Sequence, residues 1–238
     1  MNKWSGVKRF HKEANVDNVG EGYYVVCLDG RPVKTPGGSD LAAPTQFLAK
    51  AMAAEWDDQG QYIDLMQMPL CRLSATAIDR LKTKRNDVIG ITLKIAETDL
   101  LCYRATEPAD LVELQKISWQ PELDWVKDNF GADLMVTDGL IPINQSENSL
   151  FVLQEILVKF DNFTLMGVTN AAAAAGSLIL SLAMFEGRLD PETMFEKSIL
   201  EERYQIKKWG VDEETKERHK IIRKDIQDSA CFLNLLAK

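Results

Sequence analysis

One uncharged run, "NFTLMGVTNAAAAAGSLILSLAMF" from Asn162 to Phe185, limits what this chain can become. A helical segment needs about 20 apolar residues to cross a bilayer, so the run is long enough. Its chemistry argues otherwise. Ala171 to Ala175 add little hydrophobicity, and Thr164, Thr169, Asn170, Ser177 and Ser181 each bring a polar group that hydrocarbon would penalise. The run therefore reads as one central helix buried in a helical domain, ending at a C-cap near Gly187. A helix with no charged face is buried against the rest of the domain.

The flanking sequence supplies that surrounding. From Leu70 onward apolar residues recur at helical spacing: Leu70, Leu73, Ala77, Ile78 and Leu81, with Val88, Ile91, Leu93 and Ile95 on the next helix. Pro108 stands at the start of a long helix carrying Leu111, Leu114, Trp119, Leu123, Trp125 and Phe130, with a kink expected at Pro121. "ADLMVTDGLIPIN" reads as a short extended excursion, and Ser146 to Phe160 as an amphipathic helix. Asp190-Pro191 has the form of a cap and first turn, opening a helix that runs to Trp209-Gly210. Asp212 caps a final charged helix.

Before residue 70 the character differs. "YYVVCL" (Tyr23–Leu28) is a β-branched and aromatic strand. Asp29-Gly30 is a two-residue hairpin turn, and Arg31–Thr35 returns along an edge, because Pro32 has no N–H to give. A helix over Thr45–Asp58 follows, with Phe47, Leu48, Ala51 and Met52 on one side. The fold class is α+β. A β-rich N-terminal domain with hairpins and one helix, residues 1–69, precedes a larger helical (orthogonal bundle) domain, residues 70–238.

The stretch "CLDGRPVKTPGG" superficially resembles a phosphate loop. A Walker loop needs glycine directly before its lysine and a helix after it. Lys34 follows Val33, and Pro32 and Pro36 each remove an N–H from any phosphate cradle. The segment is a structural hairpin. There are two histidines, His11 and His219, and four dispersed cysteines without C-x-x-C spacing, so no metal centre or cofactor is implied. Net charge is −8, which disfavours general nucleic-acid binding. The first residues lack a signal-peptide core or an evident presequence.

Two carboxylates stand out. Asp99 in "ETDLLCYR" suits a turn cap or a partly buried ion pair with Arg104. Glu202 in "LEERYQIKKWG" shares a stripe with Ile206 at the border of core and surface, while Leu200, Tyr204 and Trp209 suggest a buried face.

Several segments in order resemble one family: "KRFHKE", "GYYVVCLDGRPVKTPGG", "MAAEWDDQG", "MPLCRLSATAIDR", "TDLLCYRATEPADLVELQ", "GSLILSLAMFEGRLD" and "LEERYQIKKWG". They look like the assembly chaperones that attend the alpha subunit of F(1) ATP synthase, over Lys8 to Gly210. The resemblance implies a β-rich domain followed by a helical one, and a non-enzymatic, ATP-independent function. Such a chaperone binds the free alpha subunit, shields its beta-contacting surface and prevents aggregation before the head assembles. It implies a partner surface at Glu202, Tyr204, Gln205 and Trp209, with Glu202 matching a functionally sensitive acidic position. Arg203 and the alanine run before Gly176 depart from the more usual acidic and threonine-containing versions. A protein of this kind is expected to be monomeric when free, with no catalytic residue and no cofactor. It is expected in the bacterial cytoplasm, or in the mitochondrial matrix of a eukaryote. Two other readings stay open: an enzyme centred on Asp99 or Glu202, and a scaffold for another partner.

Overall fold

The computed structural model describes residues 6–138 and 143–237. The expected excursion "ADLMVTDGLIPIN" therefore lies partly outside the described residues, at 139–142. The chain forms two compact units, the first from residues 1–85, 161–167 and 231–238, the second from 86–160 and 168–230.

The first unit is built on an antiparallel sheet. Strand β1 (Ala14–Gly20), which carries no strong strand signal in its sequence, pairs with β2 (Tyr23–Leu28). On its other side β2 meets β3 (Arg31–Pro32) and β4 (Ala42–Ala43). Asp29 and Gly30 have φ of 48° and 76°, the left-handed values that a two-residue hairpin turn requires. Pro32 lies on an edge strand, as its missing donor demands.

The glycine-rich loop that follows is held by a carboxylate. Asp79 accepts from the Thr35 hydroxyl and from Gly37 N–H, both at 2.7 Å. These donors are the ones an anion would use, and Asp79 already fills their place with negative charge.

Helix α1 (Gln46–Asp57), capped by the Thr45 hydroxyl on Leu48 N–H at 3.1 Å, packs against the sheet. Its buried face is Leu48, Ala49, Met52, Ala53 and Trp56. Phe47, expected on that face, is 52% exposed, because it sits one residue before the stripe that meets the sheet. Helix α2 (Pro69–Asp79) stays with this unit rather than joining the helical region at residue 70. Both oxygens of Glu55 accept from its first N–H groups, Leu70 and Cys71, each at 2.8 Å, so α1 caps α2. Late chain segments complete the core: Phe163 stacks on Phe232 with centroids 6.2 Å apart, and the Thr45 hydroxyl donates to Leu235 C=O at 2.6 Å.

Three of the four unit boundaries fall within helices, α3 (Leu81–Glu97), α6 (Asn162–Ala175) and α10 (Glu213–Leu236), and the fourth falls just before α6, at 160/161. Non-helical dihedrals at Lys84 mark a kink in α3.

The second unit is helical apart from a parallel pair, β5 (Tyr103–Arg104) with β6 (Thr137–Asp138). It contains α4 (Ala109–Phe130), α5 (Glu147–Lys159), α7 (Leu178–Phe185), α8 (Pro191–Ser198) and α9 (Leu200–Trp209). Pro108 is the N-cap of α4 rather than its first-turn residue, and the helix continues through Pro121. The caps at Asp190 and Asp212 form as the sequence suggests, and Ser146 caps α5, each side chain accepting from an N–H three residues on.

Two expected helices are each broken in two. The uncharged run divides at Gly176, whose φ of 67° ends α6, and Ser177 caps α7 through Leu180 N–H at 3.0 Å. Every residue of α7 from Leu178 to Met184 is buried. Among the described residues no helix is long and apolar enough to cross a membrane. The segment after Pro191 likewise breaks at Ile199, between α8 and α9.

Candidate functional site

Asp99 is the more deeply placed of the two singled-out carboxylates. It is fully buried, and its side chain accepts from Leu101 N–H at 3.1 Å, closing the 3-10 turn Leu100–Cys102. Its other oxygen accepts from Ile179 N–H at 3.2 Å, at the first turn of α7. Arg104 turns elsewhere, donating to Leu101 C=O at 2.7 Å and to Gln120. The expected cap is therefore observed, and the Arg104 pairing is not. Burial pushes the Asp99 carboxyl up to about 6, against the opposing effect of the Ser177 hydroxyl and the N–H groups of Leu101, Ile179 and Leu178. Its lone pairs are already engaged in joining the turn to the broken central helix.

Glu202 sits in the first turn of α9, with its side chain one-third exposed. It accepts from the two terminal guanidinium nitrogens of Arg218 on α10, Nη1 at 3.0 Å and Nη2, and lies 2.6 Å from His219 Nε2. Burial acts to raise its pKa, but the hydrogen bonds from Arg218 and His219 outweigh that and hold it below the ordinary glutamate value. The core-surface border read from its spacing is where it lies.

The rest of the closing motif spreads around α9. Tyr204 turns to α4, its hydroxyl donating to Asp110 at 2.6 Å, and Lys208 Nζ lies 4.3 Å above its ring. The hydroxyl holds the Asp110 carboxyl below the ordinary range. Gln205 is exposed. Trp209, expected on a buried face with Leu200, is instead 76% exposed on the last residue of the helix, which ends at Gly210. Only Leu200 of that trio is fully buried. Glu202, Gln205 and Trp209 follow i, i+3, i+7 and share a face, whereas Tyr204 points toward α4.

Sequence reasoning missed the most buried ionic group of this region. Glu122 on α4 is 3% exposed and answers two cations, Arg188 at 2.7 Å and Lys197 at 3.2 Å. It sits in the stripe of Trp119 and Leu123, where an acid among core positions was the available signal. Nearby, Gln115 accepts from Ala105 N–H at 2.8 Å and donates to Glu201. Burial raises the Glu201 carboxyl, opposed by that hydrogen bond. Among the described residues there is no group of three or more potential metal ligands.

Asp99, Glu122 and Glu202 are thus each engaged in hydrogen bonds or ion pairs, while Trp209 stands exposed. A family model described as the ATP12 chaperone protein matches residues 8–127. The solved structure of Atp12 from Paracoccus denitrificans has a TM-score of 0.90 and 35% identity, covering 96% of this chain and 98% of that one. The chain belongs to the ATP12 chaperone family. That is the family whose motifs the sequence carries, and its α+β order of strands followed by a larger helical region is the one observed here. An aspartate-to-lysine mutant of the Paracoccus ATP12 protein is as similar, with a TM-score of 0.90, 35% identity, and coverage of 96% and 97%. The mitochondrial atp12 protein of Schizosaccharomyces pombe is 24% identical over 243 residues, spanning 97% of this chain and 82% of that protein. The ATP12 family thus includes bacterial and mitochondrial relatives of this chain.

Proposed function

We propose that this ATP12-family protein is an ATP-independent chaperone for assembly of F(1) ATP synthase. It binds the free alpha subunit, covers the surface that later meets beta, and so blocks aggregation before the head closes. Family membership carries the reading. The end of α9 supports it, where Trp209 is 76% exposed beside the exposed Gln205. A large aromatic left uncovered on an acidic protein suits an anchor that a client buries. Glu202, Tyr204, Gln205 and Trp209 form the partner surface in this proposal, with Glu202 setting the stance of α9 through Arg218 and His219. The protein works without catalysis or cofactor, as a monomer until it meets alpha, in the bacterial cytoplasm or the mitochondrial matrix.

The engagement of Asp99 with backbone N–H groups weighs against a carboxylate-centred enzyme, since a general acid or base needs a free lone pair or proton facing substrate. The test is light scattering of aggregating alpha subunit in nucleotide-free buffer, with and without this protein. Suppression near equimolar ratio, with a complex on gel filtration, is expected. Aggregation unchanged by a folded preparation would refute the proposal.

A further inference from the structure

A groove of about 850 Å³ runs in the second unit between α4 and the α8–α9 pair. Its lining sets the apolar Leu114, 42% exposed, the buried Leu200 and the half-buried Tyr204 among charged and polar side chains. Ile117, one turn beyond Leu114 on α4, is 65% exposed and continues the apolar strip. The rim is cationic, although the whole chain carries a net charge of −8. Lys197, Arg203, Lys207 and Lys208 line it, against Asp110 and Glu196. Glu196 pairs with Arg203, and Asp110 lies 3.8 Å from Lys208. Glu122 must answer both Arg188 and Lys197. Among the described residues no carboxylate reaches Lys207. Positive charge is therefore left over around an apolar trough.

We infer that the α4–α9 groove binds a segment of the client protein that presents apolar side chains flanked by carboxylates. Charge complementarity selects this occupant. An acidic partner surface is repelled by the protein as a whole and attracted only where the cations gather, so the groove fixes where and in which register it docks. A second copy of this chain would bring the same overall negative charge. A small acidic molecule would leave the Leu114–Ile117 strip uncovered. The inference rests on the proposed chaperone function and adds to it the place of contact and the chemistry of the bound segment.

Two variants test it, with isolated F(1) alpha subunit as the probe and the full chain as the chaperone. Lys207→Glu reverses the unanswered charge, and Leu114→Asp puts a carboxylate into the trough. Each is expected to weaken capture of alpha roughly tenfold. The unaltered protein should bind less tightly as salt rises, and Lys207→Glu should show a shallower dependence. Lys50→Glu, an exposed reversal in the first unit, should bind as the unaltered protein does. Should Leu114→Asp fail to fold, hydrogen exchange on the unaltered complex decides: protection is expected over 109–119 and 200–209. Normal capture by Lys207→Glu, or protection confined to other segments, would overturn the groove and leave the chaperone function standing. Dimers of the free protein that Leu114→Asp dissolves would assign the groove to self-association and overturn the inference. Failure of the unaltered protein to bind alpha would overturn the chaperone function and this inference together.

Discussion

Replacing Asp99 by asparagine should change how stability depends on pH, by an amount set by its surroundings. The carboxyl is fully buried and titrates at about 6 in the folded protein, against an ordinary value of 3.8. The folded state therefore binds this proton more tightly than the unfolded chain. Stability from Asp99 is fully present below the unfolded value and is lost as pH rises through the folded one. At 1.36 kcal/mol per pH unit, the loss is about 3 kcal/mol over the whole window, of which about 2 kcal/mol falls between pH 4 and pH 7. Asp99→Asn has no proton to lose there and escapes that decline. Its amide offers one acceptor oxygen to the N–H groups of Leu101 and Ile179, so one buried donor goes unanswered at a cost of about 1–3 kcal/mol at every pH. The difference between the two proteins separates these effects, because every other carboxylate titrates alike in both. Urea unfolding followed by tryptophan fluorescence at pH 4, 5, 6 and 7 should show the variant gaining about 2 kcal/mol relative to the unaltered protein across that range. A difference that stays flat from pH 4 to pH 7 would refute the argument that burial governs this carboxyl.

Other outcomes follow from the same geometry. Gly167→Ala should destabilise: its Cβ would stand 2.7 Å from Leu233 Cδ2 and 2.8 Å from Cγ. Overpacking of about 1–3 kcal/mol then outweighs the gain of about 1 kcal/mol in helix propensity, and melting should fall by a few degrees. Trp209→Ala should leave urea stability within about 0.5 kcal/mol, since the side chain is already exposed, while capture of alpha subunit weakens by about tenfold. Glu202→Lys should cost less than about 1 kcal/mol in the same unfolding assay, because a one-third exposed pair is screened by water. It should nonetheless abolish protection of alpha in the scattering assay, by setting a cation against Arg218 and His219. A folded Glu202→Lys protein that protects alpha normally would remove Glu202 from the partner surface.

Local signals in the chain mapped onto the structure where one residue's own chemistry decides the backbone. The Asp29-Gly30 turn, the edge position of Pro32, and the caps at Asp190 and Asp212 are of this kind. Strand β1 was not legible, since "ANVDNVG" is ordinary coil by composition and becomes a strand only because β2 offers it a ladder. In the closing motif, Leu200 is buried as its spacing suggests, while Trp209, expected on the same face, is exposed. The motif's spacing set Glu202 at the border of the core, but spacing cannot show that Gly210 ends α9 with Trp209 uncovered. The groove was invisible for a related reason. Asp110 and Tyr204, or Glu122 and Arg188, lie far apart in the chain and share no periodicity.

By itself, then, the sequence determined the α+β order, the family, and that the uncharged run would lie in protein. Composition, turn chemistry and helical period are properties of neighbouring residues, and they act before the chain closes. Tertiary structure alone decided that the run would break at Gly176, with Asp99 tied to the N-terminal turn of its second half. It alone decided which aromatics would be covered and where surplus cations would gather on an acidic protein. Those outcomes depend on which distant groups meet, and the desolvation and pairing that fix them exist only once the helices have packed.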